Sequence, residues 1–289
     1  MYCSGYPIIH SVSTDSDGKG EYKIELDGED IYSGIVYSKD NSAGSVDVDL
    51  SPIFRQFLDV NLEDFPNLQG VADKAVKTFS VDGSSYEVCY NYNTEYILEM
   101  NSGDNLNLPV AIYVDPRQYI GTSVLGSGGI TVSHSKPSGT PGTKITVGGY
   151  EYIIDRPCRN HYAIYYINSI GGLDYVLAAG KSIEKYTSEK IDGKLYADMS
   201  NRLTFSNTRI NEFITRGYQL HTSFLFSDER MSRINNLTHS PKIWVHDLEK
   251  DTITACLCSD SSITIRNYRN DKLAGYDINL VESKPYIRK

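Results

Sequence analysis

No run of this 289-residue chain approaches the roughly 18 consecutive apolar residues that a membrane-crossing helix needs. Tryptophan occurs once and methionine four times, too little methionine for a flexible Met-lined groove. Basic charge is also in short supply. Lys and Arg number 28 against 37 Asp and Glu, a net charge of −9, which disfavours a generic nucleic-acid surface. The five cysteines, at positions 3, 89, 158, 256 and 258, are odd in number and without framework spacing, so a disulfide scaffold is not expected. Met1 to Pro7 show neither the basic nor the apolar region of a secretion signal. The expectation is synthesis in a cytoplasm with reduced thiols, where the glycosylation spelling Asn236-Leu237-Thr238 carries no meaning.

Tyrosine is plentiful: 23, against 8 phenylalanines. Tyr suits strands, damp cores and interfaces, because its ring is apolar and its tip polar. Charge is unevenly spread. Residues 1–120 hold 20 acidic and 7 basic side chains, net −13, whereas residues 121–289 hold 17 and 21, net +4. Two independently solvated domains would look like this, and so would copies that associate with acidic and basic faces opposed.

The dominant hydrophobic period is two. Glu21–Leu26, Ile31–Tyr37 and Ser45–Leu50 read as a strand meander, with Asp27-Gly28 as a turn. Ser51 as a cap and Pro52 at the first helical position predict a short helix. Strands are expected again at Lys77–Val81, Tyr86–Tyr92, Thr94–Met100 and Pro109–Tyr113, with a turn at Asp82-Gly83. From Gly121 the pattern thins: Gly126–Gly129 and then Ser133–Lys144, rich in Ser, Gly, Pro and Thr, read as a loop followed by an interdomain connection. Strands resume at Lys144–Val147, Tyr150–Ile154, Tyr162–Asn168, Leu173–Leu177, Ile183–Tyr186, Leu195-Tyr196, Arg202–Phe205 and Tyr218–Thr222. Ser227-Asp228-Glu229-Arg230 opens a helix of about ten residues. Lys242–Val245, Thr252–Cys258, Ser261–Tyr268 and Gly275–Val281 complete the strand set, with Asn270-Asp271 as a turn. The expected fold is all-β: two antiparallel sandwich- or barrel-like domains, residues 1–142 and 143–289, each with a short helix.

No constellation declares a chemistry. Cys158 and His161 lie three apart and face opposite ways in a strand, which separates a thiol from its base. Cys256 and Cys258 share a strand face, yet no zinc spacing completes them, and buried strand thiols are the simpler reading. Asp15-Ser16-Asp17-Gly18 lacks the distant Glu of a calcium loop. Gly126–Gly129 lacks the Lys-Ser/Thr of a phosphate loop. Asp47 and Asp49 share a strand face opposite Val46, Val48 and Leu50, the pattern of a solvated side. Tyr86, Tyr90, Tyr92, Tyr162 and Tyr166 admit sugar stacking as well as core or subunit contacts. No enzyme, cofactor or metal is expected.

The phrase from Tyr162 through Asn168-Ser169-Ile170-Gly171-Gly172-Leu173-Asp174 to Gly180-Lys181 resembles a hairpin phrase of virion structural proteins from phages of gut Bacteroidales. Leu220-His221-Thr222, Asp228–Met231, Ser240 through Trp244 to Leu248, and Ile31–Gly34 with Val46–Arg55 are similar to further parts of that group. The resemblance covers about the whole chain and is nearest to the tail ring proteins of crAss-like phages. It implies a non-enzymatic, homo-oligomeric ring block of a phage tail, assembled in the bacterial host cytoplasm. The partners it implies are copies of itself, neighbouring tail, portal or baseplate proteins, and DNA passing through the lumen. Candidate contact residues are Asp47, Asp49, Tyr162, Tyr166, Arg266 and Arg269. A glycan- or receptor-binding module, motivated by the Tyr-rich strands, is the alternative.

Overall fold

The computed structural model describes residues 1–60, 69–92, 100–108, 112–156, 160–179, 182–194, 207–222, 228–260, 276–284 and 286–288. The strands expected at Thr94–Met100, Leu195-Tyr196, Arg202–Phe205 and Ser261–Tyr268 lie wholly or largely outside these residues. So do the turn Asn270-Asp271, Ser227, Cys158, Arg266 and Arg269.

The N-terminal meander forms as its alternation dictates. β1 (Tyr2–Cys3), β2 (Ile9–Thr14), β3 (Lys19–Leu26), β4 (Glu29–Tyr37) and β5 (Gly44–Asp49) precede α1 (Ser51–Arg55). Asp27 and Gly28 both take positive φ, 54° and 83°, which is the two-residue turn whose twist matches the flanking strands. Asp82-Gly83 does the same between β7 (Val76–Val81) and β8 (Ser84–Cys89). Ser51 is not the helix cap. Leu50 occupies that position without a side-chain bond, and the Asp49 carboxylate instead accepts from the Ser51 and Ile8 N–H groups at 2.9 and 3.0 Å.

The five-stranded sheet runs β1-β8-β7-β3-β4, and the β2–β5 pair covers it. Ile8, Val12, Ile24, Leu50, Phe54, Phe79 and Val88 fill the space between, with Phe54 stacked on Phe79 at 4.2 Å. This is one sandwich-like core.

The thin pattern from Gly121 hides two strands, with the expected loop Gly126–Gly129 as the turn between them. β10 (Ile120–Gly126) and β11 (Gly129–Ser135) form a seven-pair hairpin, joined by β6 (Gln69–Ala72). Its glycines mark close approach rather than disorder. A Cβ on Gly121 would sit 1.8 Å from the Ser133 carbonyl oxygen, and one on Gly129 2.5 Å from that of Ala72. Contacts cross the boundary expected at residue 142. β9 (Ile112–Val114) pairs in parallel with β13 (Tyr150–Ile154), which is itself the partner of β12 (Lys144–Val147). One apolar core unites Cys3, Ala72, Val114, Ile120 and Ile130 with Tyr152, Tyr165, Leu177 and Leu248.

The remaining strands are β14 (Asn160–Ile167), β15 (Leu173–Ala179), β16 (Ile183–Lys194), β17 (Asn207–His221), β18 (Ile243–Asp247), β19 (Thr252–Cys258), β20 (Asp277–Glu282) and β21 (Tyr286–Arg288). They form one eight-stranded sheet in the order β15-β14-β18-β19-β20-β17-β16, with β21 also on β17. A bridge between Ala178 and Thr222 joins β15 to the end of β17, so the sheet curls almost into a barrel and leaves β16 outside the closure. α2 (Asp228–His239) lays Ile234 and Leu237 on one face, against Ile164, Tyr166, Leu220, Val245 and Ile278. The fold is all-β with two short helices among the described residues.

Gly121→Ala is expected to lower stability by about 1–3 kcal/mol, because a backbone oxygen has nowhere to go; urea unfolding measures it. His134, paired opposite Gly121, supplies a pH prediction. Burial pushes its pKa down to about 4, below the unfolded value of about 6.5. The unfolded chain therefore takes up the proton first. Stability is full above pH 6.5 and falls by about 3 kcal/mol between pH 6.5 and 4 from this group alone. His134→Asn should show a shallower loss between urea midpoints taken at pH 7.5 and 4.5.

Candidate subunit interface

β14 is buried on both faces and paired on both edges. Tyr162, Ile164 and Tyr166 point toward α2, while Ala163, Tyr165 and Ile167 point into the core shared with β9 to β13. Tyr162 and Tyr166 are therefore interior residues, not subunit contacts, because the chain's own elements cover both sides of their strand. The Tyr162 hydroxyl donates to Glu184 at the root of β16, 2.7 Å away. The same holds for the tyrosines considered for sugar stacking. Tyr86 is buried, and Tyr92, half-buried, donates to the carbonyls of Ile167 and Asn236. Nine tyrosines lie in the core and five stand exposed among the described residues.

A buried phenol needs polar company, and the interior supplies it to several, although the Tyr166 and Tyr175 hydroxyls have no hydrogen-bond partner among the described residues. The Tyr165 hydroxyl accepts from the Tyr119 N–H at 2.9 Å and lies 3.4 Å from the His246 Nδ1. Behind Tyr166 is a charged node that the sequence did not announce. Arg233 of α2 is 2% exposed, Asp174 of β15 1%, and their nearest charged atoms are 3.6 Å apart. Arg233 donates to the Leu108 carbonyl at 2.5 Å. Asp174 accepts from Asn168 Nδ2 at 2.6 Å, from Asn107 Nδ2 at 3.3 Å and from the Leu108 N–H at 3.3 Å. Asn168 also accepts from the Ile170 and Gly172 N–H groups, shaping the turn between β14 and β15. Asn107 takes the Ser123 N–H, and Ser123 in turn takes the Leu173 N–H. The signal for Arg233 was available: it stands four before Leu237, on the apolar side of its helix.

Two histidine–aspartate pairs hold turns. His10 bridges the Tyr86 hydroxyl at 2.8 Å and Asp82 at 3.2 Å, the latter in the β7–β8 turn. His246 contacts Asp251 of the β18–β19 turn at 2.8 Å, and burial holds its pKa below the usual range, so it is neutral near pH 7. Asp15 caps its own turn, accepting from the Asp17 and Lys19 N–H groups. Cys256 is buried and Cys258 half-buried, both against the α2-side core, as their spacing implied. Among the described residues no three His, Cys, Asp or Glu side chains gather to hold a metal ion, and no helix is long and apolar enough to cross a membrane.

What the chain leaves open is strand edge. β4, nine residues long, pairs only with β3 among the described residues and exposes Tyr32, Ile35 and Tyr37. Asp47 and Asp49 are exposed on β5, as their alternation predicted, although Asp47 already binds the Ser11 hydroxyl and Asp49 anchors α1. β16 is the longest edge. Its twelve residues pair only with β17 among the described residues, and Lys185 to Lys190 are exposed on both faces. Ile183 and Tyr186 stand out from it, Tyr186 at 65% exposure. Beyond Glu212 the described ribbon is two-stranded, because β21 reaches only Glu212 to Ile214 of β17. Its root is fixed by Arg216, which meets Glu184 at 2.7 Å and covers the Tyr218 ring at 4.8 Å.

Comparisons of the chain with protein-family models, with curated proteins and with solved structures found no match.

Replacing Arg233 by Met should cost about 3–5 kcal/mol in urea unfolding, because it strands the Asp174 carboxylate in the interior. Adding Asp174→Asn should restore part of that loss, since the asparagine no longer buries a charge.

Proposed function

We propose that this chain is a non-enzymatic structural subunit that associates with copies of itself, in the manner of a phage tail ring. The observation that carries the reading is the pair of long edge strands, β4 and β16, with large apolar side chains standing exposed on them. Exposed edges recruit other strands unless they are shortened, charged or covered. Both strands carry charged residues, yet Ile35, Tyr37, Ile183 and Tyr186 stand out from them and offer apolar contact beside the edge. Different edges at the two ends of one chain suit a head-to-tail contact, which closes into a ring when the rotation allows. The segregation of charge, net −13 before residue 121 and +4 after it, favours the same head-to-tail arrangement. The resemblance of the Tyr162–Lys181 phrase and its companions to phage virion proteins supplies the setting. The glycan-binding alternative loses its carriers, because the strand tyrosines it relied on are turned inward or half-covered.

Native mass spectrometry and negative-stain imaging of the purified chain test the proposal. A discrete oligomer is expected. Ile35→Lys and Tyr186→Lys should each weaken it by about tenfold or more, as edge lysines do, while leaving the fold intact by circular dichroism. A chain that stays monomeric at high concentration and is absent from purified particles overturns the reading.

A further inference from the structure

The fold brings together two cysteines that stand 86 positions apart. β1 runs parallel to β8, and Cys3 is the register partner of Cys89. Partners on neighbouring strands lie about 4.8 Å apart at their Cα atoms, inside the range a disulfide spans. Both side chains enter the same core, and the Cys89 thiol donates to the Cys3 sulfur across 3.9 Å. Neither sulfur is bonded to the other in the structure. We propose that Cys3 and Cys89 are an inducible cross-link site, closed by exchange with a small disulfide of the glutathione class.

Local geometry supports both halves of the exchange. Ser4, next to Cys3, is fixed to β8: its N–H donates to the Cys89 carbonyl at 2.9 Å and its hydroxyl to the Asn91 carbonyl at 2.9 Å. The Arg55 guanidinium holds the Ser4 carbonyl from the other side. Cys3 is thus held in register with its partner. β1 itself is an edge strand of two residues, and Tyr2 is 47% exposed, so the reagent reaches the buried Cys3 sulfur when β1 parts from β8. The hydrogen bond from Cys89 lowers the Cys3 thiol pKa, against the effect of burial, which makes Cys3 the attacking group.

In the first step the Cys3 thiolate attacks one sulfur of the reagent, forming a mixed disulfide and releasing one thiolate. Cys89 then gives up its proton to solvent and attacks the Cys3 sulfur, releasing the second thiolate. Two protein thiols are oxidised and one small disulfide is reduced to two thiols. The product ties β1 to β8 across the 3–89 span, a long loop whose closure restricts the unfolded chain.

The test uses the full chain, folded, incubated with oxidised glutathione, then alkylated and weighed intact. Two fewer alkyl groups than in the reduced sample are expected, with Cys3 and Cys89 in one non-reduced proteolytic peptide. The thermal midpoint should rise by roughly 3–8 °C and return on reduction. Cys3→Ser and Cys89→Ala should each abolish both changes, and Cys256→Ser should abolish neither. The proposal is overturned by a fully alkylated chain after prolonged incubation, by a stable glutathione adduct on Cys3, or by a cross-link joining any other cysteines. None of these outcomes depends on whether the chain forms rings.

Discussion

The two-sided burial of β14 is the constraint on which the rest of the structure depends. Pairing with β15 and β18 occupies both of its edges, and its two faces serve two different cores. Tyr162, Ile164 and Tyr166 need a cover on one side, which α2 provides. Ala163, Tyr165 and Ile167 need one on the other, which the β10–β11 and β12–β13 hairpins provide. The hairpins therefore belong to the same packed body as the barrel-like sheet. A strand satisfied on four sides cannot also contact a neighbouring subunit, so any assembly surface must lie elsewhere.

The tyrosine content follows from the same constraint. A phenylalanine core would bury as much ring without needing partners, whereas each phenol here requires a polar group in a dry place. The chain supplies such groups from distant segments, Glu184 for Tyr162 and the Tyr119 N–H for Tyr165; the Asp174–Arg233 node lies behind Tyr166, whose own hydroxyl has no hydrogen-bond partner among the described residues. Such a network makes the packing of α2 specific, since only one placement of Arg233 satisfies Asp174 and the Leu108 carbonyl together. The distinctive phrase from Tyr162 to Asp174 includes the turn between β14 and β15 and holds two of the node's members, Asn168 and Asp174.

Local signals were legible and non-local ones were not. Asp27-Gly28 and Asp82-Gly83 declare two-residue turns by chemistry alone, and β3, β5, β7, β13 and β19 fall where period-two alternation places them. Gly121 and Gly129 misled, because a glycine needed for close backbone contact is spelled like one that ends a strand. The last eight residues of β16 and most of β17 escaped for the opposite reason. Thr187 to Lys190 are exposed on both faces, so that stretch carries no alternation of burial to read. Of the six contact candidates, Asp47 and Asp49 lie on the surface as expected and Tyr162 and Tyr166 do not. Charge pattern distinguishes the two sides of an edge hairpin, whereas it cannot distinguish a strand buried on one face from a strand buried on both.

These facts limit how copies can meet. A face-to-face contact needs a broad apolar surface, whereas the outward side of β3 carries Lys19, Glu21 and Lys23, and Lys185 to Lys190 of β16 are exposed on both faces. Strand edges remain, and an edge contributes backbone donors and acceptors that are indifferent to sequence. Selectivity must then come from side chains beside the edge. On β4 these are Ile35 and Tyr37 above the Lys19–Glu21 and Lys23–Asp30 pairs, and on β16 they are Ile183 and Tyr186 among alternating charges. Paired charges flank the first edge, and Arg216 and Glu184 fix the root of the second. Each edge is already a strand paired on one side before any partner arrives, so less ordering entropy opposes association than a loose arm would impose.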